Sequence, residues 1–122
     1  MKTLLALRGE KDSGKTSAIA RLFEMMKTNG YTIMQDKKKK DSHDFYVIVE
    51  KKGKNIGVSS YGDTPKLILS RIEIFIDHHC DIIVCACRNG GSTENAVRSV
   101  AHYSVEFFDK SVSSNSKEYL DL

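Results

Sequence analysis

Gly9-Glu10-Lys11-Asp12-Ser13-Gly14-Lys15-Thr16 reads G-x-x-x-x-G-K-T and lies between the apolar run Thr3 to Leu7 and an amphipathic stretch that starts at Lys15. Residue types at this spacing suit the holding of a polyphosphate. The glycines allow a tight turn that aims successive backbone N–H groups inward, and the positive end of a helix dipole starting there adds to them. Lys15 is placed to reach the β- and γ-phosphates, and Thr16 offers a hydroxyl to the Mg²⁺ that bridges them. A turn that merely joined a strand to a helix would not need Lys-Thr after its second glycine.

Such a cradle needs a buried strand in front and a helix behind. Thr3 to Leu7 is nearly all apolar, which suits a strand buried on both faces of a parallel sheet. Ala18, Ile19, Leu22, Phe23 and Met26 then recur at helical spacing, and Asn29-Gly30 supplies residues that tolerate a left-handed C-cap. Tyr31 to Gln35 reads as a second strand, giving a strand, helix, strand unit of the right-handed crossover kind. Asp36 to Asp44 holds no apolar residue and is expected to be an exposed loop. Phe45 to Glu50 and Asn55 to Ser60 flank a polar Gly-containing turn and read as a hairpin. Pro65 fits the first position of a helix carrying Leu67, Ile68, Ile72, Phe75 and Ile76, behind a Thr64 or Asp63 cap. Asp81 to Cys87 reads as a central strand, Ser92 or Thr93 as the cap of a short helix, and Ser104 to Phe108 as a last strand.

This order predicts an α/β fold with a mostly parallel sheet, one antiparallel hairpin strand and helices on both faces. The expected domain spans residues 1–108, and the serine-rich residues 109–122 read as a surface tail. With 122 residues, 40% hydrophobic and 29% charged, the chain has the balance of one globular domain. No apolar run approaches the ~20 residues of a membrane helix, so no membrane partner is expected. Met1 to Leu7 precedes Arg8-Gly9-Glu10 without a small-residue cleavage site and reads as the first strand rather than a signal segment. Cys80, Cys85 and Cys87 form no disulfide framework and no Cys-x-x-Cys spacing; they read as core residues of a cytoplasmic protein.

Ligands of open α/β sheets sit at the carboxyl ends of the strands, where the cradle, Gly62-Asp63 and Arg88 to Gly91 all fall. The net charge of +3 is mild, with four lysines together at Lys37 to Lys40. That run is a solvated loop or a place for an acidic protein or anionic substrate; the lack of interleaved aromatics disfavours nucleic acid. Arg8, beside the first cradle glycine, is expected to be positioned by neighbouring carboxylates.

Gly9 to Thr16 resembles the Walker A motif of the P-loop NTPases, and the resemblance extends to the strand before it and the helix after it. It implies a three-layer P-loop fold that binds Mg²⁺ and ATP or GTP through Gly9, Glu10, Lys11, Asp12, Ser13, Gly14, Lys15 and Thr16. Asp63 lies where proteins of this kind place the carboxylate that joins Thr16 at the metal, although Ser59-Ser60-Tyr61-Gly62 intervenes after the apolar strand, so a helix cap is the competing reading. The hairpin followed by Gly-Asp-Thr-Pro is similar to small GTPases, but no Asn-Lys-x-Asp follows to specify guanine. Lys15 and Arg88 are the expected catalytic cations, Arg88 acting on charge at a transferring phosphoryl group. The expectation is nucleoside triphosphate hydrolysis, with a small phosphotransferase or a nucleotide-controlled interaction module as the rivals.

Overall fold

A computed structural model describes residues 2–10, 14–38, 44–62 and 64–110, of residues 36–38 the backbone alone. Among the described residues six strands and three helices follow in the order β1 (Thr3–Arg8), α1 (Lys15–Thr28), β2 (Thr32–Lys38), β3 (Phe45–Lys51), β4 (Lys54–Ser59), α2 (Pro65–Asp77), β5 (Ile82–Cys87), α3 (Gly91–Arg98) and β6 (Ser104–Asp109). They form one mixed sheet of order β2-β3-β4-β5-β1-β6. β4, β5, β1 and β6 run parallel, and β3 pairs antiparallel with both β2 and β4.

Two apolar layers result from the alternation of side chains along the strands. On one face Leu4, Ala6, Ile83, Cys85 and Cys87 meet Ile68, Ile72 and Phe75 of α2 and Val97 of α3. On the other, Leu7, Val47, Val49, Ile56, Val58, Val84 and Ala86 meet Ile19 and Phe23 of α1. Helices therefore cover both faces. The cysteines lie in the first layer as expected, and burial pushes the Cys80 and Cys87 thiols up to about 12 and about 11. Phe75 is fully buried, and its ring occupies the space over Gly57, where an added Cβ would come within 2.3 Å of it. Burial of such a ring contributes ~1.5–3 kcal/mol, so a side chain at residue 57 would displace a principal contact between α2 and the sheet.

Local signals account for most boundaries. Lys52 and Gly53 have φ of 54° and 80°, the positive pair of a two-residue type I′ turn that matches strand twist. Asn29 closes α1, Gly30 takes φ 84°, and the Tyr31 N–H donates to Met26 O at 3.1 Å, a Schellman ending. Thr64 caps α2, its hydroxyl accepting from the Leu67 N–H at 3.2 Å, with Pro65 in the first turn.

Four expectations need revision. Residues 36–38 belong to β2 rather than to a loop, with Asp36, Lys37 and Lys38 opposite Val47, Tyr46 and Phe45; an edge strand tolerates the lysines that would be costly inside a sheet. β2 does not neighbour β1, for β5, β4 and β3 lie between them. α3 begins at Gly91 behind Gly90 rather than behind a Ser92 or Thr93 cap: the Thr93 hydroxyl accepts from the Arg88 N–H at 2.9 Å and Glu94 from the Gly90 N–H at 3.1 Å. The fold runs through Asp109 and Lys110, past the expected boundary at 108. Lys11, Asp12, Ser13, Lys39, Lys40, His43, Asp63 and residues 111–122 lie outside the described residues.

No helix among the described residues is long and apolar enough to cross a membrane.

Candidate functional site

β1 ends at Arg8 beside the ends of β5 and β6, with Arg8 in register with Cys87 and Asp109. The connection from β1 returns through α1 on one face, and that from β5 through α3 on the other. Helices leaving two adjacent parallel strands on opposite faces open a crevice at the strand ends. Gly9 continues the ladder, its N–H donating to Cys87 O at 3.1 Å, and thereby sets Arg88 beside the start of the loop.

Gly14 ends that loop at φ 95°, a conformation costly for any residue with a side chain, and stands as N-cap of α1 without a side-chain capping bond. No acidic residue occupies the first turn of α1. That end carries the positive pole of the helix dipole. Lys15 Nζ donates to the carbonyls of Gly9 at 2.7 Å and Glu10 at 2.8 Å. The lysine thus ties the start of α1 to the two residues that follow β1.

Thr16 faces the other flank. Its hydroxyl donates to Asp44 Oδ1 at 3.1 Å, and the Ser60 hydroxyl donates to the same oxygen at 3.1 Å. Asp44 precedes β3 and Ser60 follows β4, neighbouring ends of an antiparallel pair. Ser60 is itself fixed, accepting from the Phe45 N–H at 2.9 Å. Gly62 then passes over β5, where an added Cβ would come within 2.9 Å of the Ala86 carbonyl group. Only a glycine lets this segment lie so close to the strand ends.

The third flank is ionic. Arg8 binds Asp109 through Nε at 2.6 Å and a second nitrogen at 3.2 Å, and Glu94 at 3.0 Å. Arg98 binds the second oxygen of Glu94 at 3.2 Å, and both arginines stack on Phe107. The Gly90 N–H, then Arg8 and Arg98, hold the Glu94 carboxyl below the usual range, and Arg8 does the same to Asp109. Arg8 is positioned by carboxylates as expected, its own pKa raised first by Asp109.

The structure therefore brings together Gly9, Glu10, Gly14, Lys15, Thr16 and Arg88. Sequence reasoning did not place Asp44 beside Thr16, because a lone acidic residue and the Ser60 hydroxyl offer no local pattern, and only the β1–β6 register brings Lys110 beside Arg8. Among the described residues no group of three or more His, Cys, Asp or Glu is arranged to hold a metal. Compared with known proteins, the chain matches no family model, no curated protein and no solved structure.

Proposed function

We propose that this chain is a Mg²⁺-dependent P-loop protein that binds ATP or GTP and hydrolyses it. The observation that carries the reading is Lys15 on the Gly9 and Glu10 carbonyls at the start of a helix that follows a left-handed Gly14. A polyphosphate bound there would take over the Lys15 ammonium and the first N–H groups of α1. The ammonium would exchange the Gly9 and Glu10 carbonyls for phosphate oxygens.

Thr16 and Asp44 fit a hard cation, an oxygen pair next to the phosphates of the kind Mg²⁺ uses together with water and substrate. Bound there, Mg²⁺ would offset phosphate charge and favour loss of the terminal phosphoryl group. The chain's part is to orient the Thr16 hydroxyl and hold the carboxylate. Asp63 remains a second candidate for that carboxylate. Thr64 performs the capping of α2 that was the competing role for Asp63. Arg88, fixed through its N–H to Thr93 at the end of β5, stands beside the loop as the cation for charge developing at the γ-phosphate. The basic run that begins in β2 at Lys37 is the place for an acidic protein or anionic second substrate. Three buried thiols suit the reducing cytoplasm.

Calorimetry with Mg²⁺-ATP and Mg²⁺-GTP tests the reading. The parent protein is expected to bind at least one of them, and Lys15→Ala to weaken it by ~1.5–3 kcal/mol, the range for hydrogen bonds to charged groups. A parent protein that binds neither has only a glycine-rich turn.

A further inference from the structure

Arg71 sits in the middle of α2 beside residues that pack into the core, Ile68, Ile72 and Phe75. A cation on a helix ordinarily finds a carboxylate one turn away. Here Leu67, Ile68, Ile74 and Phe75 stand at those positions, so α2 offers none. What meets the guanidinium instead is a pair of rings, its central carbon lying 4.5 Å from the centre of Tyr61 and 5.1 Å from that of Tyr46. Nε is enclosed and has no hydrogen-bond partner among the described residues. The residue as a whole is half-buried, which leaves its outer end to solvent.

Aromatic rings offset the charge of a guanidinium but accept none of its in-plane hydrogen bonds. An enclosed N–H without an acceptor is costly, and an arginine that only covered apolar surface would leave that cost uncompensated. The rings do fix the cation. Tyr61 is buried, with its N–H donating to Ser59 Oγ at 3.2 Å, and Tyr46 packs edge-on against Phe75 with ring centres 6.0 Å apart. A flat cation stacked on fixed rings loses little freedom when it binds an anion. Tyr46 pairs with Ser59 at the carboxyl end of β4, and Tyr61 lies just beyond that end, where ligands of open α/β sheets sit. Tyr46 belongs to the α2 layer, on the face opposite α1.

We infer that Arg71, Tyr46 and Tyr61 form a site for a carboxylate, carried by a small ligand other than the nucleotide. Among the described residues Arg71 is the one cation against these two rings, which matches the single charge of a carboxylate better than the double charge of a phosphate. Its outer nitrogens and a carboxylate are both flat forks that join through two parallel hydrogen bonds. The tyrosine hydroxyls add neutral donors at the rim. Lys15 and the phosphates have no part in this site, so it stands or falls apart from the nucleotide reading.

Thermal unfolding of the full chain in sodium acetate, sodium phosphate and sodium chloride at matched ionic strength and neutral pH tests it, with NMR of the arginine side-chain N–H groups. Salts alter melting temperatures by themselves, so the readout is the difference between parent and variants. A ligand bound to the folded chain raises that difference. Acetate is expected to stabilise the parent more than Arg71→Lys, which keeps the charge without the fork, and more than Arg71→Met, while chloride treats all three alike. In the parent the Arg71 N–H resonances should shift with acetate until saturation. Resonances that do not move, or a lysine variant with the parent's full acetate response, overturn the inference. So does an Arg71-dependent response as large in phosphate as in acetate, since that marks an unselective anion site. If neither variant folds, the NMR titration of the parent decides. Lys15→Ala should keep the acetate response; its loss there would move the anion to the loop and overturn the site at Arg71, whereas a parent that binds no Mg²⁺-nucleotide leaves that site untouched.

Discussion

The two flanks of the loop are built from opposite materials. On the β6 side Arg8, Glu94, Arg98 and Asp109 form a network of charged pairs, with Lys110 enclosed next to it. On the β3–β4 side one carboxylate accepts two hydroxyls, from Thr16 and Ser60, and the described contacts include no arginine or lysine partner for either hydroxyl. Paired charges hold a backbone in place and leave surplus positive potential. Hydroxyls on a carboxylate form an arrangement that a cation can enter by displacing one weak neutral donor. In the proposed reading the first flank serves the anion and the second the metal; β1 lies between β5 and β6, while α1 packs on one face of the sheet against residues of β3 and β4.

Exchanging a single atom on the metal side should have the largest effect. Asp44→Asn keeps an oxygen able to accept both hydroxyls, so melting should change little. The Mg²⁺-dependent tightening of nucleotide should nevertheless fall tenfold or more, ~1.4 kcal/mol per decade. Measured beside it, Asp63→Asn identifies which carboxylate serves the metal; equal Mg²⁺ titrations for parent and Asp44→Asn would make the two flanks alike.

Arg88 follows β5, one residue past the Cys87 carbonyl that accepts from Gly9. Arg88→Ala should lower kcat for phosphate release by about one power of ten or more, ~1.4 kcal/mol of barrier each, with a smaller loss of affinity. Single-turnover phosphate release decides it. A variant hydrolysing at the parent's rate would place the catalytic cation in a partner and favour a nucleotide-controlled interaction module.

The smallest effect concerns the ionic flank. Glu94 and Asp109 have carboxyls held below their ordinary values in the folded chain. The unfolded chain therefore binds more protons in the acid range, and the stabilisation is present above the ordinary carboxylate pKa and lost as pH falls through the folded value. Glu94→Gln should flatten the acid limb of the melting profile while leaving neutral-pH nucleotide binding nearly unchanged. An identical acid limb would mean that the pairs are too well solvated to matter.

Much of this arrangement was legible because it is local. G-x-x-x-x-G-K-T names a strand, a turn and a helix in order, Gly53 in a short polar stretch marks the hairpin turn, and the continuous apolar run to Cys87 marks a strand with two buried faces. What failed was either a local signal overruled or a contact with no local signal. Three charged residues at 36–38 look like loop, yet pairing with Phe45, Tyr46 and Val47 carries them along an edge. Ser92 and Thr93 look like the start of a helix, yet Gly90 already serves, and the Thr93 and Glu94 side chains reach back to bind the loop that precedes it. Asp44 and Lys110 gain their meaning only from strands adjoining in space, and no spacing in the chain encodes which strand lies beside which.

The placement of β1 also bears on the order in which the molecule can come into being. Both neighbours of β1, β5 and β6, belong to the second half of the chain. During synthesis the first strand must wait, with its leucines uncovered, while the β2, β3 and β4 antiparallel ribbon is already complete. Long-range parallel pairing of this kind is slow and leaves apolar edges available to other chains in the meantime. A ribosome that has released residues only as far as α2 carries the whole Gly9 to Thr16 motif on a first strand that has neither of its neighbours, so the proposed binding of a ligand should appear only in a late step, when β5 and then β6 close against β1.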